Sequence, residues 1–283
     1  MAIFLAYIFY FIAASASPLQ RRWLAKKKDI DGKGQIHFAF QVSLILSVIS
    51  LLTPLVSPFY ISGDIWYLVG FTLVTGIFGA AALVCIYTAQ KHVEAGVASL
   101  VSNVYTPITI ILATLFLHEK LLPIQVVGTI LLLVGIVIVS KKHRIGRFKF
   151  DRYFVLLVIG GVMLAFDIFA ERAIQKVTGF TATMIITSVA QSIFLGVAVF
   201  LSHSKSRYSN KDITITGILR SLQALSWATL IFVVGNLSLV SSVTTFKVVI
   251  MFLAGAIFLG EREDFKRKLL GSIIALIGLL IMK

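Results

Sequence analysis

Runs of about 20 apolar residues, parted by short polar stretches, recur from one end of the chain to the other. That is the length a helix needs to cross the hydrocarbon core of a bilayer. The pattern predicts ten helices, at 2–20, 37–57, 65–88, 94–117, 122–140, 153–173, 180–201, 213–235, 238–259 and 267–282. Barrel strands would alternate apolar and polar residues, and these runs do not. In lipid every backbone amide must be satisfied within its own segment, so unbroken apolar runs are read as helices. The first run lacks a basic n-region and leads into "SPLQRRW" without a cleavage motif, so it is read as a helix and not a signal peptide. The predicted fold class is an all-α integral membrane protein.

Composition strengthens this picture. The chain is 58% hydrophobic and 13% charged, with a mean hydropathy of +0.97. Soluble domains hold about 45–50% apolar and about 25% charged residues. Cys85 is the one cysteine, which excludes an internal disulfide and a cysteine metal cluster. His37, His92, His118, His143 and His203 are scattered at span ends and in loops. No zinc-protease, P-loop or nucleophile-elbow pattern occurs, so neither an enzyme, a metal site nor a cofactor is expected. The formal charge of +14 is a topology signal. Loops 1–2 and 5–6 carry six Lys or Arg each, and 20 of the 26 fall on one face of the predicted bundle. By the positive-inside rule that face is cytoplasmic and both termini lie outside. The expected partner of this charge is lipid headgroups, not nucleic acid.

The chain also repeats itself. "VASLVSNVYTPITIILATLFLHE" (97–119) aligns with "LVSSVTTFKVVIMFLAGAIFLGE" (239–261), placing Ser99 on Ser241 and Glu119 on Glu261. With one inserted residue, "VVGTILLLVGIVIVSK" (126–141) continues onto "LLGSIIALIGLLIMK" (269–283), setting Gly128 on Gly271 and Gly135 on Gly278. This divides the chain into a five-helix repeat at 1–140, a basic cytoplasmic linker at 141–152 and a second repeat at 153–283. Five spans is an odd number, so the halves enter the membrane from opposite faces as an inverted repeat, with a site expected near midplane between them.

Each half has small residues early in its fourth helix, a Glu at that helix's end and a Gly-rich fifth helix. In this the chain resembles the drug/metabolite transporter (DMT) superfamily, EamA type. The best match is residues 87–141, including Pro107 and Glu119; the second half departs from the pattern, with Val249 where the family often has proline. The resemblance implies a ten-helix transporter of small metabolites. Relatives of this size are usually described with the opposite topology. Sugar-phosphate and nucleotide-sugar relatives commonly carry a substrate-facing lysine in the ninth helix, a role the resemblance lends to Lys247.

Lys247 is also singled out by physics. It lies about 13 Å into its span, where a charge costs about 2.5–3.5 kcal/mol unless it faces a cavity or the bundle interior. Snorkelling to a headgroup is the alternative, but the reach from midspan is marginal. Asp167 lies about 9 Å from the outer end of span six and is placed to pair with Lys247; Arg220 lies about 10 Å from the cytoplasmic end of span eight. These three form a ladder with Asp167 outermost and Arg220 innermost. The N-terminal half offers neutral groups: Ser15, Ser17, Gln41, Tyr87, Asn103 and Tyr105. Gln191 and Gln223 are further cavity candidates. Pro107 is a candidate gating hinge, and Glu119 and Glu261 are read as outer-boundary landmarks or gate contacts. Ser99, Ser102, Thr244, Thr245 and the repeat glycines are read as packing residues, with Trp23 and Trp66 as interfacial anchors.

The expected function is secondary active transport, by alternating access, of a small polar metabolite with an anionic group: amino-acid-like, organic acid or sugar-phosphate-like. Lys247 and Arg220 grip the anion, Asp167 serves as counter-ion, and coupling is to protons or to counter-substrate exchange. A flippase for an anionic lipid or lipid-linked sugar, and a non-transporting membrane scaffold, remain the alternatives.

Overall fold

The computed structural model describes residues 2–28, 32–117, 123–140, 151–205, 207–235, 240, 244, 247–261 and 264–281. The helices are α1 (Ala2–Lys28), α2 (Gly32–Ser50), α3 (Ile65–Ala89), α4 (Ala95–Ser102), α5 (Tyr105–Leu117) and α6 (Pro123–Ser140). They continue as α7 (Arg152–Val177), α8 (Phe180–Ser202), α9 (Asn210–Val234), α10 (Lys247–Phe258) and α11 (Phe265–Ile281). Among the described residues, each predicted apolar run overlaps one of these helices, or two, the start of the run 238–259 lying largely outside the described residues. Six helical stretches are long and apolar enough to cross a membrane, and 126–139 and 247–258 are shorter apolar helices. Large apolar side chains such as Phe200, Trp66 and Phe258 stand exposed, as expected where lipid replaces water.

One predicted helix is two. The run 94–117 breaks at Asn103–Val104, between α4 and α5. Pro107 explains the position of the break. It has no N–H for the carbonyl of Asn103 four residues earlier, and its ring crowds that carbonyl. The chain tightens instead: Asn103 N donates to Leu100 O at 3.0 Å and Thr106 N to Asn103 O at 3.0 Å. Pro107 then sits in the first turn of α5, where a missing donor costs nothing.

The helices pack in a paired scheme. α3 lies on α7 and α1 on α9; α3 on α8 and α2 on α9; α2 on α8, α4 on α10 and α6 on α11. Small residues make the closest contacts. A Cβ on Gly135 would lie 2.5 Å from the Gly271 carbonyl oxygen, and one on Gly278 would lie 2.5 Å from that of Gly128. α6 and α11 therefore run antiparallel, backbone against backbone. Between α2 and α8 the small residues are serines. Ser43 and Ser47 each meet Ser192 at 2.8 Å, and Ser50 meets Ser188 at 2.7 Å.

At one end of the bundle, α1, α3 and α10 finish where α4 and α11 begin. Arg22 Nε donates to Glu261 Oε1 at 2.9 Å, and Glu261 Oε2 accepts the Ala95 N–H at 2.8 Å. Arg22 Nη1 also donates to the carbonyls of Gln90 (2.8 Å) and Lys91. Beside it Lys268 Nζ donates to both Glu94 oxygens, at 2.6 and 2.7 Å. Glu261 thus lies at this end of the bundle. α10 ends where α4 begins, so the two run in opposite senses, and Glu261 shares the end occupied by Arg22 near the C-terminus of α1. Glu119 lies outside the described residues.

Candidate functional site

A cavity of ≈ 110 Å³, open at one side, lies among α1, α2, α5, α7, α8, α9 and α10. Its depth follows from helical rise. Met184 is about 6 Å from the start of α8, Glu171 about 9 Å from the end of α7, and Trp227 about 10 Å from the end of α9. Arg220 is deepest, about 21 Å from that end of α9. The space thus occupies the half of the bundle away from the Arg22–Glu261 cluster.

Its wall carries four charged side chains: Asp167, Glu171, Arg220 and Lys247. Tyr10, Tyr105 and Trp227 add aromatic surface, and Gln191, Gln223, Thr187 and Ser188 add neutral polar groups. Lys247 opens α10 and is held by aromatics. Its Nζ donates to the Tyr10 hydroxyl at 3.3 Å and lies 5.9 and 5.7 Å from the ring centres of Tyr10 and Tyr105. The repeat register that sets Ser99 on Ser241 also sets Tyr105 on Lys247, so the two equivalent positions meet at the cavity wall. Asp167 is oriented from the other side. The Thr75 hydroxyl donates to its Oδ1, and Gln191 Nε2 donates to Oδ1 at 2.9 Å and Oδ2 at 3.1 Å. Gly79 leaves room for this bridge, because a Cβ there would lie 2.6 Å from Gln191 Nε2 and 2.8 Å from Asp167 Oδ1.

The expected Asp167–Lys247 pair is absent. Thr75 of α3 and Gln191 of α8 occupy the carboxylate of Asp167, while Lys247 turns to the tyrosines. Arg220 is also deeper than its sequence position suggests. α9 starts at Asn210, about 15 Å below it, so the guanidinium sits mid-helix on the cavity wall and not at a helix start.

Of the candidate site residues, Lys247, Arg220, Asp167, Tyr105, Gln191 and Gln223 line one cavity. Tyr87, Asn103 and Ser17 are outside its lining. Tyr87 is buried under Arg21, whose guanidinium lies 4.2 Å from the ring centre. Asn103 is buried at the α4–α5 break, its Nδ2 donating to Ser99 O at 2.8 Å. Ser17 is buried in α1 and its hydroxyl has no partner among the described residues. Among the charged and aromatic cavity residues, Glu171, Tyr10 and Trp227 escaped the sequence reading, as did the polar Thr187 and Ser188. Glu171 was legible as the i+4 neighbour of Asp167, on the same face of α7. The aromatics carried no signal in a chain with 22 Phe, 8 Tyr and 3 Trp.

Residues 1–141, the N-terminal half of the chain, match the family model described as "EamA-like transporter family". The chain belongs to this family. It is a multi-pass integral membrane protein, a membrane transporter of the drug/metabolite type. Twenty-eight chains of solved structure are similar to this EamA-like transporter. One, described as "Crystal structure of protein", has a TM-score of 0.63 at 14% identity, covering 99% of this chain and 96% of its own. At that identity the likeness speaks for the fold. Among curated proteins none matches.

Proposed function

We propose that this EamA-like transporter is a secondary active transporter of ten helices that moves a small polar metabolite bearing an anionic group. The observation that carries the substrate side is the placement of Arg220 and Lys247 on the wall of one cavity reached by both halves. A guanidinium offers a planar fork of donors and an ammonium a compact charge, a pair suited to carboxylate or phosphate. Two inverted halves are supported by the packing scheme. Exchanging each helix of 1–140 with its counterpart in 153–283 turns α3–α7 into α9–α1, and Gly128–Gly278 into Gly271–Gly135. Alternating access is supported by the closure of one end by the Arg22–Glu261 and Lys268–Glu94 pairs, with the cavity in the other half.

The test of substrate class is a thermal-shift screen of purified protein against organic acids, amino acids, sugar phosphates and cationic drugs, beside Lys247→Ala. A ligand that binds only the folded state raises its apparent stability. Anionic compounds should stabilise the wild type, and Lys247→Ala should weaken the response at least tenfold. Stabilisation by cations alone, or an equal response in the variant, would overturn the reading.

The closed end gives a second prediction. Arg22 and Glu261 are both under 10% exposed, and removing one partner of such a pair leaves a buried charge uncompensated, at about 3–5 kcal/mol. Glu261→Gln should therefore open that end more often, read as faster alkylation of a cysteine introduced at Ser17 behind the pair. Alkylation unchanged from the parent protein would exclude a gating role.

Asp167 is the proposed counter-ion and a candidate proton carrier. Asp167→Asn keeps an oxygen for Thr75 while removing the charge. In proteoliposomes it should bind substrate yet lose accumulation driven by a pH gradient; retained accumulation would remove Asp167 from coupling.

A further inference from the structure

Between the cavity and the closed end, α1 carries a buried polar face that nothing so far explains. Tyr10, which lines the cavity, is followed at i+4, i+7 and i+11 by Ala14, Ser17 and Arg21, so the four share one face of the helix over about 16 Å. All four are buried. The Ser17 hydroxyl and Arg21 Nε make no hydrogen bond among the described residues, and neither do the nearby Ser15 Oγ and Gln90 Oε1. Buried polar atoms normally have partners, so each such atom calls for a reason. Arg21 has no carboxylate partner among the described residues either; its guanidinium lies over the Tyr87 ring. The charge of Arg220, the deepest group of the cavity, reaches both Tyr10 and Arg21. Two cations in a low dielectric repel unless an anion joins them.

The sequence repeat gives this face a counterpart. "LQRRWLAK" (19–26) aligns with "FAERAIQK" (169–176), and the same register sets Ala14 on Leu164, Ser17 on Asp167 and Arg21 on Glu171. Leu164, Asp167 and Glu171 line the open cavity from α7. In halves related by inversion, the wall that one half lends to the cavity on one side is lent by its counterpart on the other. Here that counterpart is packed shut. Tyr87 covers Arg21, and Phe38 and Tyr208 stack beyond it with ring centres 4.0 Å apart. Pro18 denies the Ala14 carbonyl its helical donor, so α1 can bend within this stretch. We propose that Ala14, Ser17 and Arg21 form the α1 wall of the cavity when the transporter faces the other way, and that Arg21 is then an anion-binding residue, meeting the same oxyanion group of the substrate that Arg220 holds. A guanidinium stacked on a ring keeps its edge donors for such a group. The two mouths differ in sign. A cation stands on the closed side where a carboxyl group stands on the open one, so the closed-side mouth is the better entry for an oxyanion. This rests on the alternating-access reading of the two halves.

The test follows thiol modification in purified full-length protein carrying Cys85→Ala and Ser17→Cys, alone and with Glu261→Gln to open that end. The probes are two methanethiosulfonates of similar size, one ending in a sulfonate and one in a trimethylammonium, each rate normalised to that reagent's rate with free mercaptoethanol. The sulfonate reagent should react faster by at least about tenfold, the effect of one unit charge about 10 Å away at an effective dielectric of about 20. Arg21→Gln should remove this preference and Arg21→Lys should keep it. Equal rates, or a faster ammonium reagent, would end the anion assignment. If the preference persists undiminished in Arg21→Gln, the path stands and Arg21 is only a packing partner of Tyr87. If neither reagent reaches Ser17→Cys even with Glu261→Gln, the end does not open along α1, and the alternating-access reading falls with the anion site.

Discussion

Arg220→Gln is expected to weaken binding of an anionic substrate by at least ~100-fold, the largest functional loss of any single change in the cavity. Two contributions add. A hydrogen bond to a charged group is worth about 1.5–3 kcal/mol, and a guanidinium offers two in parallel to a carboxylate. Each 1.4 kcal/mol is a factor of ten in affinity. In addition, Asp167 and Glu171 line the same cavity, so the variant removes one of two cations facing two carboxylates. Their field then repels an incoming anion. Lys247→Ala should cost less, because its ammonium is a single point charge already shared with the Tyr10 hydroxyl. The measurement is the concentration dependence of ligand-induced stabilisation for both variants. Equal loss in the two would assign the anion to a point midway between them, and no loss in Arg220→Gln would remove it from the site.

The largest structural effect should come from Gly135→Leu. The α6–α11 contact has no room for a side chain at this position. Even a Cβ would lie 2.5 Å from the Gly271 carbonyl and 2.6 Å from the Ala275 Cβ. Overpacking a core typically costs about 1–3 kcal/mol when side chains can shift, and here the obstruction is backbone. The helices must separate, and with them the apolar cluster that joins Leu132, Ile136 and Ala275 to α4 and α7. Loss of the monodisperse peak in detergent gel filtration, or a fall in Tm well beyond that of Gly70→Leu, is the expected result. Gly70 is the control because a Cβ there would meet nothing within 4 Å. Equal stability of the two variants would show that α6 and α11 pack at another distance.

Much of this architecture was readable from the chain. The apolar runs fix where helices form because lipid offers the backbone no other partner. The aligned glycines Gly128, Gly135, Gly271 and Gly278, read as packing residues, lie at the close contact of α6 with α11. Lys247, Arg220 and Asp167 stood out because a charge within an apolar run is costly and needs a reason. The break in the fourth run was half legible: Pro107 announced a distortion, but its location at Asn103–Val104 follows from the carbonyl four residues earlier that proline cannot serve.

Partnership was not legible. Whether Asp167 bonds Lys247 or Thr75 and Gln191 depends on which helices flank α7, and period and composition do not encode that. Tyr87, Asn103 and Ser17 are polar residues in apolar helices, as Tyr105 and Gln191 are, yet Tyr87 and Ser17 lie toward the closed end and Asn103 is buried at the α4–α5 break, while the others line the cavity. Glu261 reads as the twin of Glu119 in sequence, and its pairing with Arg22 of α1 depends on how α1 and α10 pack. The sequence by itself determined the solvent, the helices and the residues whose burial demands compensation, because these follow from local hydrophobicity and backbone chemistry. The tertiary structure alone decided which of those residues share a cavity and which partners they take, because that depends on contacts between separate helices, from 24 residues apart (Asp167–Gln191) to 237 (Lys247–Tyr10).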